Sequence, residues 1–183
     1  MTGGVFVAGS APYPWPYDGD MSAGRFALLV VQDGWLPPTT QRDALRFLAS
    51  DVSSAGGLVV AVVRGEAPVV VYGDVTVRVP GRDGFYATAL DDVLRQAGRD
   101  HLALAGWHLE VEVHSTLRSA NDRGYECVTL TDACVPADPA LADASSSMIQ
   151  MSGGIFGAVA TSRALVAALS SVPARPALQE ELA

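Results

Sequence analysis

The sequence predicts an α/β fold with a doubly wound, mainly parallel sheet and helices on both faces. Three observations predict it. The run Phe26-Ala-Leu-Leu-Val-Val31 is apolar without alternation, as in a central parallel strand buried on both sides. In the second half of the chain, strand-like and helix-like segments follow one another in strict turn, which implies right-handed crossovers and parallel pairing. The 183 residues, 49% hydrophobic and 17% charged, are enough for one domain with a full core.

Residues 1–24 are rich in Gly, Pro and aromatic side chains (Pro12, Tyr13, Pro14, Trp15, Pro16, Tyr17). Such a segment is expected to be an extended arm whose rings dock on the domain or on a partner subunit. Residues 25–172 form the domain. After the first strand, Pro37-Pro38 precedes Thr39 or Thr40, an expected N-cap, and Leu45, Leu48 and Val52 share a helix face that ends at Gly56-Gly57. Leu58 to Val63 is the next strand, and Val75 to Val79 reads as an edge strand.

The alternation that follows predicts a helix from Tyr86 to Ala97, a strand from Leu102 to Ala105 and a helix from Val113 to Arg123. Next come a strand from Glu126 to Leu130, a helix from Pro139 to Met151, a strand from Ile155 to Ala160 and a helix from Ser162 to Leu169. The tail, 173–183, has too few apolar residues to demand burial.

The longest apolar run, Phe26 to Val31, is far below the roughly 20 residues that span a bilayer, and the first ten residues lack a signal-like pattern. The expected location is the cytoplasm, where Cys127 and Cys134 remain reduced and serve as structural thiols. A formal net charge of −8, with 12 scattered basic residues, offers no footprint for nucleic acid and no membrane patch.

The segment His114-Ser-Thr-Leu-Arg-Ser-Ala-Asn-Asp-Arg-Gly-Tyr-Glu126, continuing through Val128-Thr-Leu-Thr-Asp-Ala133, resembles the stretch around and after the catalytic cysteine of the isochorismatase-like cysteine hydrolases. Within that superfamily it is most similar to the branch of biuret and ureidoacrylate amidohydrolases. Met148-Ile-Gln-Met-Ser-Gly-Gly-Ile-Phe-Gly157, Pro80-Gly-Arg-Asp-Gly-Phe-Tyr-Ala-Thr88 and the arm Trp15-Pro-Tyr-Asp-Gly19 extend the resemblance along most of the chain, in order.

In the family an Asp after strand one, a Lys before the third helix and a Cys after strand four together hydrolyse amides. The Cys is activated as a thiolate by the helix dipole and the Lys. The resemblance implies that this chain has lost all three. The Asp falls on Gln32, which cannot take up a proton at useful pH, with Asp33 one place later. A one-residue slip normally turns a strand side chain to the opposite face. The Lys falls on Val79; Arg78 and Arg82 are near, but a guanidinium does not relay protons, so both are expected as surface residues or carboxylate partners. The Cys falls on Glu112. The segment between Val63 and Val75 is also shorter than in relatives, where it helps cover the substrate.

Trp107-His108-Leu-Glu110-Val-Glu112-Val-His114 gathers two His and two Glu near the sheet's C-terminal edge, the usual ligand position of doubly wound folds. Catalytic candidates are therefore Glu112, Asp33, His108 and His114. Trp35, Trp107, Arg82 and Phe85 are the candidate substrate contacts, with core packing the competing role for the two tryptophans. Polar residues of a solvated loop are the plain alternative for the His and Glu. No cofactor and no metal are expected, because spacing alone does not show ligands converging. Gly153, Gly154 and Gly157 are assigned to backbone packing rather than phosphate binding.

Two function classes stand. The first is a non-hydrolytic homologue acting as an accessory subunit or small-molecule-binding partner in a biosynthetic or catabolic pathway. It would be a homo- or hetero-oligomer, with an intact relative as one possible partner. The second is a repurposed enzyme in which Glu112, with Asp33, His108 or His114, performs non-covalent acid–base chemistry on a small molecule. Fold alone does not choose between them.

Overall fold

The computed structural model describes residues 4–171; the tail expected at 173–183 lies outside them. Six parallel strands form one sheet in the order β3-β2-β1-β4-β5-β6, comprising β1 (Phe26–Gln32), β2 (Leu58–Arg64), β3 (Val75–Val79), β4 (His101–Trp107), β5 (Glu126–Val135) and β6 (Ala158–Ala160). The helices are α1 (Thr39–Ser54), α2 (Leu90–Gln96), α3 (His114–Asp122), α4 (Ala142–Gly154) and α5 (Ser162–Ser171). None of the described helices is long and apolar enough to cross a membrane.

Every residue of β1 and of β4 is buried, which explains the unbroken apolar run that marks the sheet centre. Alternate side chains enter two cores. Phe26, Leu28 and Val30 meet Leu45, Leu48 and Val52 of α1 and Leu165 and Leu169 of α5. Ala27, Leu29 and Val31 meet Leu90 and Leu94 of α2, Leu117 of α3 and Ile149 of α4. The chain runs outward through β2 and β3, then returns to place β4 on the other side of β1. The point where the winding reverses therefore lies between the C-terminal ends of β1 and β4, the crevice in which open α/β sheets bind ligands.

Several boundaries differ from expectation. The start of α1 has no side-chain cap; Pro38 precedes it, and Thr39 and Thr40 are already helical. The helix expected from Tyr86 begins only at Leu90, because Asp83 to Thr88 form turns. In these turns Thr88 Oγ1 bonds Gly84 O at 2.7 Å, and Ala87 takes a φ of 52°. Strand β5 continues to Val135, with a shift in its pairing to β4 between Leu104 and Gly106. Helix α4 begins after a 3-10 turn at Pro139–Leu141, loses helical angles at Met151 to Gly153, and β6 starts only at Ala158.

The arm docks on its own domain. Trp15 is fully buried, its ring edge-on to Phe26 and His101, and Ala11 pairs antiparallel with Val159 of β6. Below the sheet, Arg25 bridges Asp18, Asp20 and Asp100 at 2.8–2.9 Å. His101 lies 2.6 Å from Asp100 and 3.2 Å from Asp18, and the Tyr17 N–H donates to Glu126.

Candidate active site

Gly106 sets the geometry at the end of β4. Its φ is 120°, and a Cβ there would stand 2.1 Å from Val31 O, so only glycine lets β1 and β4 approach this closely at their ends. The next peptide, Trp107–His108, is cis, and a π-helical turn, Leu109–Val113, leads into α3. That turn carries Glu112 to the crevice.

Strand alternation then separates Gln32 from Asp33. Gln32 faces the α1 side, 1% exposed, where its amide is saturated: Nε2 donates to Val71 O at 2.7 Å, while Oε1 accepts from Val70 N at 2.8 Å and Val71 N at 3.0 Å. It is a clamp on the segment between β2 and β3. Asp33 turns the other way. Its Oδ1 accepts from Trp35 N at 3.0 Å, and its Oδ2 lies 3.2 Å from His108 Nδ1. The carboxylate expected to be misdirected by a slip of one residue is thus the one that faces the crevice, because the sheet places positions 32 and 33 on opposite faces.

Glu112 is 1% exposed. Its Oε1 accepts from Arg82 Nη1 at 2.5 Å and from Arg64 Nη1 at 3.3 Å. Its Oε2 is buried without a hydrogen-bond partner and lies 3.6 Å from His108 Nδ1. An isolated carboxylate in this position would be costly, and two guanidiniums on one oxygen offset that cost. His108 stands between two carboxylates, with Trp35 tilted over it at 5.5 Å. Asp33, His108 and Glu112 each offer a ligand atom within 4.8 Å of the other two.

Other candidates lie elsewhere. His114, the first residue of α3, is buried with its ring edge-on to Phe156, and desolvation followed by the charge of Arg118 lowers its pKa; it is not one of the three groups that converge at His108. Trp107 and Phe85 are corrected from substrate contacts to core residues: Trp107 is fully buried on the α1 side, and Phe85 stacks on Tyr125. Aromatic residues near a sheet edge point to either side, and here the core took both. Trp35, 40% exposed, stays at the rim, and Arg82 is the carboxylate partner of Glu112. Val79 is buried core. Glu110 instead accepts the N–H groups of Ala137 and Asp138.

Arg64 was missed. Its signal was a charged residue closing an apolar strand at the C-terminal edge of the sheet. Cys127 and Cys134 are buried, and burial raises both thiol pKa values well above the ordinary range, so neither is a ready thiolate.

A family model for the isochorismatase domain matches residues 36–164. Ureidoacrylate amidohydrolase RutB of Methylorubrum extorquens is 39% identical over 104 residues, which are 56% of this chain and 41% of that protein. RutB of Klebsiella pneumoniae is 40% identical over 70 residues, 38% of this chain and 30% of that protein. The chain therefore spans 41% or less of the length of these curated relatives. Among solved structures, a cysteine hydrolase of Pseudomonas syringae pv. phaseolicola superposes with a TM-score of 0.70 at 22% identity, covering 81% of this chain and 94% of that one. The nicotinamidase SaPncA of Staphylococcus aureus gives 0.66 at 16% identity, covering 75% and 99%. These two likenesses concern the fold, whereas the family model reaches from the loop after β1 into α5. On that match the chain belongs to the isochorismatase domain family.

Proposed function

We propose that this chain carries a small-molecule site that works without a thiol nucleophile, and that Asp33, His108 and Glu112 perform non-covalent acid–base chemistry there. The observation that carries this reading is the position of Glu112. It stands where the resemblance puts the nucleophilic Cys, buried, tied to Arg64 and Arg82, with His108 between it and Asp33. A carboxylate held this way does not form a thioester. It orients an imidazole and leaves the two guanidiniums as the natural contacts for an anionic group of a ligand.

The catalytic distances, 3.2 and 3.6 Å, are looser than formed hydrogen bonds, as in many sites that tighten only on a ligand. Suitable chemistry is elimination, addition, cyclisation or hydrolysis of a small molecule bearing a carboxylate or ureido group. Ureidoacrylate is the first compound to test, because RutB proteins are named for acting on it. Binding is to be read by calorimetry with ureidoacrylate and a panel of small carboxylates. The reading expects a ligand whose binding falls at least about tenfold when Arg64 and Arg82 are both changed to Ala, since a lost charged contact is worth about 1.5–3 kcal/mol, and whose turnover is lost in Glu112→Gln and His108→Ala. Binding unchanged without the two arginines, or turnover unchanged in Glu112→Gln and His108→Ala, would contradict it.

A second reading, an accessory subunit, is favoured by one observation. Met148, Met151 and Ile155 are about half exposed on and just after α4, the helix that packs against the 109–113 turn. Co-purification with an intact family member, lost in Met148→Glu with Met151→Glu, is the outcome that reading expects.

A further inference from the structure

We propose that Asp33, His108 and Glu112 form a binding site for a first-row divalent transition metal, with Zn2+ the ion that fits best. This rests on the reading of that cluster as the working site and gives His108 the role of ligand in place of proton carrier.

Three observations carry it. The first is the spacing. Ligands about 2.0–2.1 Å from a tetrahedral ion lie about 3.3–3.4 Å from one another, and His108 Nδ1 stands 3.2 Å from Asp33 Oδ2 and 3.6 Å from Glu112 Oε2. Two carboxylate oxygens at these distances from an imidazole nitrogen, all three atoms within 4.8 Å of one another, match a coordination sphere as well as they match a hydrogen bond, and the contacts are not formed as hydrogen bonds.

The second is the unused atom. Glu112 Oε2 is buried, on a side chain 2% exposed, without a hydrogen-bond partner, and it faces the other two ligand atoms. A buried carboxylate oxygen left alone is costly, and an ion satisfies it.

The third is the division of labour on Glu112. Arg64 and Arg82 both take Oε1 and leave Oε2 free. They fix the carboxylate from behind, as outer-sphere partners orient metal ligands. Two carboxylates would balance the charge of a divalent ion, while the guanidiniums weaken its binding and attract an anionic ligand to the same place. Three protein ligands leave a fourth position open to water or to that ligand, the arrangement of catalytic rather than structural zinc. Imidazole with two carboxylates suits Zn2+ among available ions, and Co2+ is its spectroscopic substitute.

The test uses the full chain, stripped of metal by chelator and titrated with Zn2+ by calorimetry and with Co2+ by visible absorption. The expected result is one ion per chain, with the intense visible bands of four-coordinate Co2+. Affinity should fall at least about 100-fold in His108→Ala and Glu112→Gln and stay unchanged in Asp18→Asn, which alters the other His and carboxylate cluster, Asp18, His101 and Glu126. Far-ultraviolet circular dichroism checks that the variants remain folded.

No uptake by the folded wild type overturns the metal site. So does uptake that survives in His108→Ala and Glu112→Gln or disappears in Asp18→Asn. Protein that takes up no ion yet binds and turns over its small molecule, and loses turnover in Glu112→Gln, overturns the metal site while leaving the proposed function standing.

Discussion

His108 Nδ1 lies 3.2 Å from Asp33 Oδ2, across the gap between the ends of β4 and β1. The contact exists because Gly106 lets the two strands close on each other and because Asp33, one residue past Gln32, faces away from α1. It joins the two halves of the winding at the place where ligands bind in such sheets.

Removing the Glu112 side chain should leave Arg64 and Arg82 facing each other with no counter-charge. Glu112→Ala is expected to cost about 2–3 kcal/mol, below the about 3–5 kcal/mol of a fully buried pair because both arginines are partly exposed. Urea unfolding measures it. Arg82→Ala, at a side chain 57% exposed, should cost less than about 1 kcal/mol.

Gln32 should matter for stability and not for ligand binding. Gln32→Ala strands the N–H groups of Val70 and Val71 and the carbonyl of Val71 in a buried place, for an expected loss of about 2–4 kcal/mol. Gln32→Asp should destabilise as well and should not strengthen the site, because position 32 faces α1. Unfolding curves and ligand titration of the two variants separate these effects.

The two thiols should be silent in the native state. Both are buried, with pKa values raised by desolvation, so Ellman's reagent should find no reactive cysteine in folded protein and two per chain in denaturant. Fast reaction of either in the native fold would contradict the burial.

Stability should fall with acid in two stages. The pKa of His114 is lowered in the fold from 6.5, by burial first and Arg118 second, so the native state binds fewer protons than the unfolded chain. Its contribution is complete above about pH 6.5 and declines as pH falls through the folded value. His114→Phe should flatten that limb. For Asp18, burial raises the carboxyl, but the Asp20 N–H, Arg25 and His101 outweigh it and hold the pKa at about 2. That contribution is complete above about pH 4 and lost toward pH 2, and Asp18→Asn should remove it. Urea midpoints across pH measure both.

The sheet and its winding were legible from sequence because burial on both faces leaves an unbroken apolar run, as in Phe26 to Val31. The end of that run was harder. Alternation says that positions 32 and 33 face opposite ways, but which one faces the crevice depends on which side α1 packs. Trp107 and Phe85 were ambiguous for the same reason, since an aromatic residue at a strand end suits a core or a pocket equally. Arg64 and Glu112 are 48 residues apart, and no local pattern announces a pair made across the sheet edge. The helix expected from Tyr86 began late because Thr88 and the positive φ of Ala87 build turns that an apolar pattern does not register.

The central claim, chemistry without a thiol, is tested most directly by intact-mass spectrometry of the protein incubated with a linear ureide such as biuret and quenched at short times. The expected result is the unmodified mass of the chain at every time point. A covalent adduct on Cys127 or Cys134, formed with release of ammonia and then discharged by water, would overturn it.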